Sequence, residues 1–216
     1  MTDFAQARRM MVDGQIRTSD VTDLDLLAAF GALARERFVP ERRQAIAYLD
    51  LDVPLDGAGG RALMKPMVLA KLIQAAEVGT RDRVLVVGCG TGYSAAILAQ
   101  IAGTVVALEE DAALAKAAAQ LAAGDEVEVV TGPLASGWSK AAPYAVILLD
   151  GAAEVVPPAL FDQLGDGGRL VGVIGRAPIG RGTVYRRSGA HVSARAEFDA
   201  MAPLLPGFAK PPAFVF

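Results

Sequence analysis

The apolar residues near the N-terminus recur at helical spacing. One set within residues 4–50 falls on a single helix face: Leu26, Leu27, Phe30, Leu33 and Ala34. The Asp- and Thr-rich residues 19–23 precede this set and can cap a helix. We therefore predict a helical region over 4–50 whose last helix is ended by Pro40. Residues 56–60 predict a glycine-rich loop, and residues 66–76 an apolar helix with Pro66 in its first turn.

From residue 84 onward, short apolar runs alternate with segments of helical period. We predict strands over 84–87, 104–108, 126–131, 145–149 and 169–174, and helices over 93–102, 112–122 and 155–164. Strands separated by helices of this length form parallel βαβ units with right-handed crossovers. Because these strands are almost entirely apolar, the sheet should be covered on both faces.

The pattern changes after Gly175. Two β-like runs flank Ser188-Gly189 and predict an antiparallel hairpin at the edge of the sheet. The chain shows no internal repeat, low-complexity tract or linker. We therefore expect one domain over 1–216, with a helical extension and substrate-side loop (1–66), a βαβ core (67–175) and a C-terminal hairpin and tail (176–216).

Composition and charge narrow the classes of function. A net charge of −3 and a pI near 5.2 give no basic surface for nucleic acid. The longest apolar stretch, residues 95–108, is interrupted and too short to span a bilayer. Cys89 is the only cysteine, which fits a reducing compartment. We expect a cytoplasmic protein that acts away from membranes, and we leave its oligomeric state open.

His191 is the only histidine in the chain. A Ser-His-Asp triad or a histidine-rich metal site would have to be built on this one residue, which lies far from the best motif. We therefore expect no metal, and we interpret His191 as a surface residue of a late strand.

The candidate chemistry lies in the segment VLVVGCGTGYSAAILA, residues 84–99. Gly88, Gly90 and Gly92 fall where a strand turns into a helix, and glycine lets the backbone approach a ligand closely. Glu109 ends the next predicted strand, where a carboxylate can accept the hydroxyls of a ribose. Nicotinamide and flavin sites prefer G-x-G-x-x-G, but Tyr93 stands at the third glycine position here. The spacing G-x-G-x-G is typical of S-adenosylmethionine methyltransferases, so a nicotinamide-dependent oxidoreductase is the weaker alternative.

Several sequence blocks together resemble the protein-L-isoaspartate (D-aspartate) O-methyltransferase family. The blocks occur in family order from about residue 10 to residue 175: RERFVP (35–40), AYLD with a following PL (47–55), GCGTGYSAAILA (88–99), APY (142–144), PPAL (157–160) and QLGDGGRLV (163–171). The resemblance implies a Rossmann-like class I S-adenosylmethionine methyltransferase fold. That α/β fold has a mostly parallel seven-stranded sheet, here with a C-terminal antiparallel hairpin and an N-terminal helical extension.

The resemblance also implies a cofactor, a substrate and a set of site residues. The cofactor is S-adenosyl-L-methionine, and the methyl acceptors are isoaspartyl-containing peptides or proteins, or another carboxylate. The implied cofactor side comprises Gly88, Cys89, Gly90, Gly92, Tyr93, Glu109, Glu110, Pro133 and Leu134. The implied substrate side comprises Met64, Lys65, Pro66 and Asp150.

Three positions depart from the family pattern. Met64 stands where the family has an active-site serine, and a thioether cannot donate a hydrogen bond. Val86 replaces an acid at the end of the first strand of the core. Pro133 replaces an aspartate that contacts the adenine amine in the family. Because no catalytic residue can be assigned at position 64, two further alternatives stay open: a binding protein that has lost the reaction, and a methyltransferase with a different acceptor.

The remaining candidates have competing interpretations. Asp150 ends the fourth predicted strand of the core, where it can face the ligand or cap a turn. Lys65 can attract an acidic substrate or lie at the surface. We interpret Glu110 as solvated, Tyr93 as a packing residue at the cleft rim, and Cys89 as a small packed residue rather than a nucleophile.

Overall fold

A twisted sheet with helices on both faces forms the centre of the computed structural model, which describes residues 3–56, 60–122 and 124–211. The strands are β1 (Val53–Pro54), β2 (Ala62–Leu63), β3 (Arg83–Val87), β4 (Thr104–Glu109), β5 (Val127–Thr131), β6 (Tyr144–Ala153), β7 (Leu164–Arg176), β8 (Ile179–Ser188) and β9 (His191–Asp199). The helices are α1 (Phe4–Met11), α2 (Leu24–Ala32), α3 (Pro66–Ala75), α4 (Tyr93–Leu98), α5 (Ala112–Leu121) and α6 (Pro158–Asp162).

The main sheet has seven strands in the order β5-β4-β3-β6-β7-β8-β9. The first five of these strands are parallel, and β8 and β9 continue the sheet as an antiparallel hairpin. The predicted parallel core and edge hairpin are therefore confirmed. Strand order reverses beside β3, because β4 and β5 lie on one side of it and β6 and β7 on the other. Ligands of open α/β sheets bind at the carboxyl ends of the strands at such a reversal.

Alternate residues of the central strand face two different apolar layers. Val84 and Val86 belong to the layer that contains α3 and α4, and Leu85 and Val87 belong to the opposite layer. All four side chains are fully buried. Burying one such side chain contributes about 1.5–3 kcal/mol, so the alternation fixes which face each residue takes. Val86 therefore packs in the core, at the position where the resemblance implies an acid.

The N-terminal region is less regular than the predicted helical unit over 4–50. After α1 the chain forms a π-helical turn (Val12–Ile16), and it then reverses at Asp20, whose φ is 64°. Asp23 caps α2 through bonds from the amides of Asp25 and Leu26, which confirms the predicted capping. The chain is extended at Leu33 and continues as short 3-10 turns to residue 46. Apolar periodicity could not show these breaks, because buried 3-10 turns also present apolar side chains to the core.

Several other boundaries differ from those predicted. Helix α6 is shorter than the predicted 155–164, because Pro157 precedes it and Leu164 already belongs to β7. Helix α4 ends at Leu98, and β6 and β7 extend beyond the predicted strands. The β1–β2 ribbon was not predicted. Of the predicted glycine-rich loop over 56–60, residues 57–59 lie outside the described residues.

The helices within the described ranges are all too short or too polar to cross a membrane.

Candidate functional site

The glycine loop between β3 and α4 has the backbone conformation that its sequence predicts. Gly88, Gly90 and Gly92 have φ values of 79°, 57° and 93°, in the left-handed region that favours glycine. The amides of Gly88 and Cys89 both donate to the carbonyl of Leu108, at 2.8 and 3.1 Å. The loop is therefore held against the end of β4.

Glu109 lies directly beside this loop at the end of β4 and is fully buried. Its Oε2 accepts hydrogen bonds from the Gly90 amide at 2.7 Å and from Arg61 Nη2 at 3.0 Å. Its Oε1 accepts from the amides of Glu110 at 2.9 Å and Asp111 at 3.3 Å. The predicted pairing of glycine loop and carboxylate is thus present in space, and the carboxylate also forms a buried ion pair.

Arg61, the partner in that ion pair, was missed by sequence reasoning. Its side chain is 4 % exposed and also donates from Nη2 to the carbonyl of Gly88 at 2.5 Å. The amide of Leu55 donates to the carbonyl of Arg61 at 2.8 Å, which holds the backbone there. No local sequence pattern indicated this placement, because Arg61 and Glu109 are 48 positions apart in the chain.

Two leucine side chains and the Arg61 guanidinium lie close against the loop glycines. A Cβ built on Gly88 would lie 2.7 Å from Leu205 Cδ2 and 2.8 Å from Arg61 Nη2, and one on Gly90 would lie 2.9 Å from Leu55 Cδ1. Leu205 belongs to the C-terminal tail, which is held by a bond from its amide to the carbonyl of Ala152 at 2.9 Å. A ligand that approaches the glycines closely must displace these side chains.

Asp150 is a second buried carboxylate at the same edge of the sheet, where β6 shifts register. Ser94 Oγ in α4 donates to its Oδ2 at 2.5 Å. Burial raises the pKa of Asp150 to about 6, whereas the Ser94 hydrogen bond and the charges of Arg61 and Arg35 act in the opposite direction. Within the described part of the chain, Oδ1 of Asp150 has no hydrogen-bond partner. Asp150 therefore lies among the buried charges of the site, and no backbone amide of the described residues donates to its side chain.

The predicted substrate side is built around a buried arginine. Arg35 donates to the carbonyls of Ala47 and Met64, each at 2.7 Å, and its guanidinium lies 4.8 Å from the ring centre of Tyr93. Met64 is itself 1 % exposed. Arg35 therefore fixes the backbone of the segment whose side chain at position 64 differs from the family. Lys65 is half-buried, and its amide donates to Asp52 Oδ1 at 2.9 Å.

Pro66 is buried at the first position of α3, as its sequence context predicts. Tyr93 is fully buried and makes edge contacts with Phe30 and Phe38, so it packs in the core rather than at the rim of a cleft. Thr91 Oγ1 donates to the carbonyl of Phe38 at 2.6 Å, which ties the loop to the same segment.

The other predicted site residues have simpler environments. Cys89 is buried, and burial raises the pKa of its thiol, so it is a packed residue and not a nucleophile. Glu110 and His191 are exposed. Pro133 is exposed and Leu134 is buried, and the amide of the preceding Gly132 donates to the carbonyl of Glu109 at 3.1 Å.

This arrangement has the parts of a nucleoside site. The glycines allow close approach, and Glu109 offers carboxylate oxygens that can accept both hydroxyls of a ribose. The two buried carboxylates supply negative charge at this edge of the sheet, which the buried arginines Arg61 and Arg35 balance. The ribose diol of S-adenosylmethionine is a group that such a carboxylate can bind.

Sequence comparisons place the chain among known methyltransferases. The family model of protein-L-isoaspartate(D-aspartate) O-methyltransferase matches residues 6–198. A protein-L-isoaspartate O-methyltransferase from Methylorubrum populi is 43% identical over 188 residues, which cover 86% of each chain. One from Koribacter versatilis is 38% identical over 180 residues, covering 81% of this chain and 79% of the relative.

Solved structures show the same fold. One protein-L-isoaspartate O-methyltransferase aligns with a TM-score of 0.80 and 22% identity, covering 93% of this chain and 66% of the other. A Plasmodium falciparum protein, crystallised in complex with S-adenosyl-L-homocysteine, aligns with a TM-score of 0.77 and 17% identity, covering 92% and 97%. The family model and the relatives together show that this chain belongs to the protein-L-isoaspartate (D-aspartate) O-methyltransferase family.

Proposed function

We propose that this protein transfers a methyl group from S-adenosylmethionine to the free carboxylate of isoaspartyl residues in damaged proteins. The observation that carries the proposal is the buried carboxylate of Glu109, which accepts a hydrogen bond of 2.7 Å from the Gly90 amide of the glycine loop. Family membership supports the reaction and the acceptor.

The site residues have distinct roles in this proposal. Gly88, Gly90 and Gly92 shape the loop against which the cofactor lies. Glu109 accepts the ribose hydroxyls, and the backbone of residues 132–134 borders the adenine. Residues 64–66 and Asp150 form the acceptor side. The buried side chains of Cys89 and Tyr93 support the loop through packing. The backbone amide of Glu110 donates a hydrogen bond to Glu109.

The reaction requires few groups from the protein beyond those that position the cofactor and the acceptor. The cofactor, when bound, supplies an electrophilic methyl group on a sulfonium. An acceptor carboxylate has a reference pKa of about 4, so it is already ionised at neutral pH and needs no general base. The residues of the site contribute by holding the two reactants in line and excluding water. Placement of this kind can lower a barrier by about 7 kcal/mol or more.

Met64 reduces this contribution without removing it. A thioether cannot hold the acceptor carboxylate, and one such hydrogen bond is worth about 1–3 kcal/mol. We therefore infer a slower enzyme than relatives that have a serine there.

We infer that the chain folds as one domain and works in a reducing compartment such as the cytoplasm, on protein or peptide acceptors and without nucleic acid or membrane partners. The buried free thiol of Cys89 supports the reducing compartment. Subcellular fractionation tests the location.

A methyl-ester assay tests the function. The purified protein is incubated with S-adenosylmethionine and a peptide that contains isoaspartate, and base-labile ester is measured as released methanol. The same peptide with ordinary aspartate is the matched control. We expect ester only on the isoaspartyl peptide. If neither peptide is esterified at saturating concentrations of S-adenosylmethionine and peptide, the proposal is contradicted.

Met64 and Pro133 favour a second candidate, a cofactor-binding protein that no longer catalyses the reaction. Calorimetry with S-adenosylhomocysteine separates the two candidates. Micromolar binding together with no turnover on any carboxylate acceptor would support the second.

A further inference from the structure

The guanidinium of Arg61 lies where a cofactor would meet the glycine loop. Its Nη2 is 2.5 Å from the carbonyl oxygen of Gly88 and 3.0 Å from Glu109 Oε2. It also lies 2.8 Å from the position that a Cβ on Gly88 would take, a space that it shares with Leu205 Cδ2 at 2.7 Å. Nη2 of Arg61 therefore fills part of the space beside Gly88 and also bonds to the carboxylate of Glu109.

Arg61 and a ribose need the same acceptor on Glu109. Three of the hydrogen bonds that Glu109 accepts come from the backbone amides of Gly90, Glu110 and Asp111, which are fixed by the loop and by the start of α5. The bond from Arg61 comes from a side chain, so it is the one that can be exchanged. A diol that binds Glu109 must replace it.

Arg61 is buried with one hydrogen-bond donor that no described residue accepts from. Among the described residues, Nε of Arg61 has no hydrogen-bond partner although it is buried. A buried donor without a partner is unfavourable, so the closed arrangement is less stable than a fully bonded one. Withdrawal of Arg61 into solvent restores hydration to that nitrogen.

Charge balance also favours an exchange. Arg61 is a cation beside the buried carboxylates of Glu109 and Asp150. Removal of Arg61 alone would leave buried negative charge uncompensated, which is costly. A ligand with a positive sulfonium replaces the lost charge, so ligand entry and departure of the arginine stabilise one another.

We propose that Arg61 is a determinant of cofactor affinity that competes with the cofactor for Glu109. In the free protein Arg61 covers the glycine loop and bonds to Glu109, and the cofactor binds after Arg61 has left this position. This inference rests on the proposed function, because the competing ligand is the cofactor of that reaction.

Calorimetric titration with S-adenosylmethionine, whose sulfonium can replace the charge of Arg61, tests the competition, and S-adenosylhomocysteine, which lacks that charge, is titrated beside it. The proteins compared are the native chain, Arg61→Ala, Arg61→Lys and the control Arg186→Ala. Arg186 lies on β8 of the hairpin and forms an exposed ion pair with Glu77. We expect Arg61→Ala to bind about tenfold more tightly than the native chain, because apparent affinity rises when the closed population is removed. Arg61→Lys should fall between the two, and the control should be unchanged.

Steady-state kinetics give a second readout that a merely structural role would not produce. We expect Arg61→Ala to lower KM for S-adenosylmethionine about tenfold, without a matching rise in kcat. If the alanine variant is too unstable to titrate, Arg61→Lys alone still decides the question by the direction of its change in affinity.

The opposite results would overturn the proposal in separable ways. Equal or weaker binding by Arg61→Ala, beside measurable binding by the native chain, would mean that Arg61 does not compete and would leave the proposed function intact. Failure of every variant to bind either adenosyl ligand at millimolar concentration would overturn both.

Discussion

Asp150 is a buried carboxylate whose charge can be removed with little change of shape by the substitution Asp150→Asn. Its side chain is 6 % exposed, and burial raises its pKa to about 6. An aspartate in an unfolded chain has a pKa of about 3.9. Between these values the folded protein holds a proton that the unfolded chain has released. The free energy of unfolding therefore falls as pH rises through this interval, and it becomes constant above it.

The size of the effect follows from the two pKa values. One pKa unit corresponds to about 1.4 kcal/mol, so ionised Asp150 destabilises the folded protein by about 3 kcal/mol at pH 7.5. At pH 4.5, where Asp150 is still protonated in most folded molecules, the destabilisation is only about 1 kcal/mol. The Asp150→Asn variant carries no such proton. Its stability relative to the native protein should therefore increase by about 2 kcal/mol between pH 4.5 and pH 7.5.

Urea denaturation followed by circular dichroism measures this difference at pH 4.5, 6.0 and 7.5. Asp125→Asn, which neutralises an exposed aspartate, controls for the general loss of negative charge. The asparagine amide oxygen accepts from the Ser94 hydroxyl more weakly than a carboxylate does, which adds an offset that does not depend on pH. A stability difference between the native protein and Asp150→Asn that stays constant across the three pH values would refute the reasoning.

Three further substitutions test other parts of the site. Glu109→Gln should weaken S-adenosylhomocysteine binding at least tenfold, because a charged hydrogen bond is worth about 1.5–3 kcal/mol, and calorimetry that shows unchanged affinity would remove Glu109 from the cofactor site. Met64→Ser should raise kcat/KM for an isoaspartyl peptide about tenfold if a hydroxyl restores a hydrogen bond to the acceptor, and an unchanged ester yield from folded protein would place Met64 outside the acceptor site. Gly92→Ala should lower the free energy of unfolding by about 1–3 kcal/mol, because φ is 93° and the new Cβ would lie 3.0 Å from Ala122 Cβ. The control Gly14→Ala meets no atom within 4 Å and should not be destabilising in urea denaturation.

The parts of the fold that sequence predicted are those set by local pattern. The strand, glycine loop, helix and carboxylate lie close together in sequence between residues 84 and 109, and local conformation or burial constrains several of these positions. Gly92 needs positive φ, and Glu109 ends an apolar strand. Period and glycine spacing therefore sufficed to place them.

The parts that sequence did not predict depend on distant contacts. Arg61 and Glu109 are separated by 48 positions, and no local pattern links them. Leu205 reaches the loop because the tail bonds to Ala152 in β6, which only the folded chain reveals. Breaks in the N-terminal helices were missed for a related reason, since Asp20 turns the chain by backbone conformation alone.

The central claim is that the glycine loop and Glu109 together bind an adenosyl ligand, and a crystal structure with S-adenosylhomocysteine tests it most directly. We predict that the ribose hydroxyls lie within hydrogen-bond distance of the Glu109 carboxylate and that the Arg61 guanidinium has left it. A structure in which the Arg61–Glu109 ion pair persists and the ligand lies elsewhere on the protein would contradict the account.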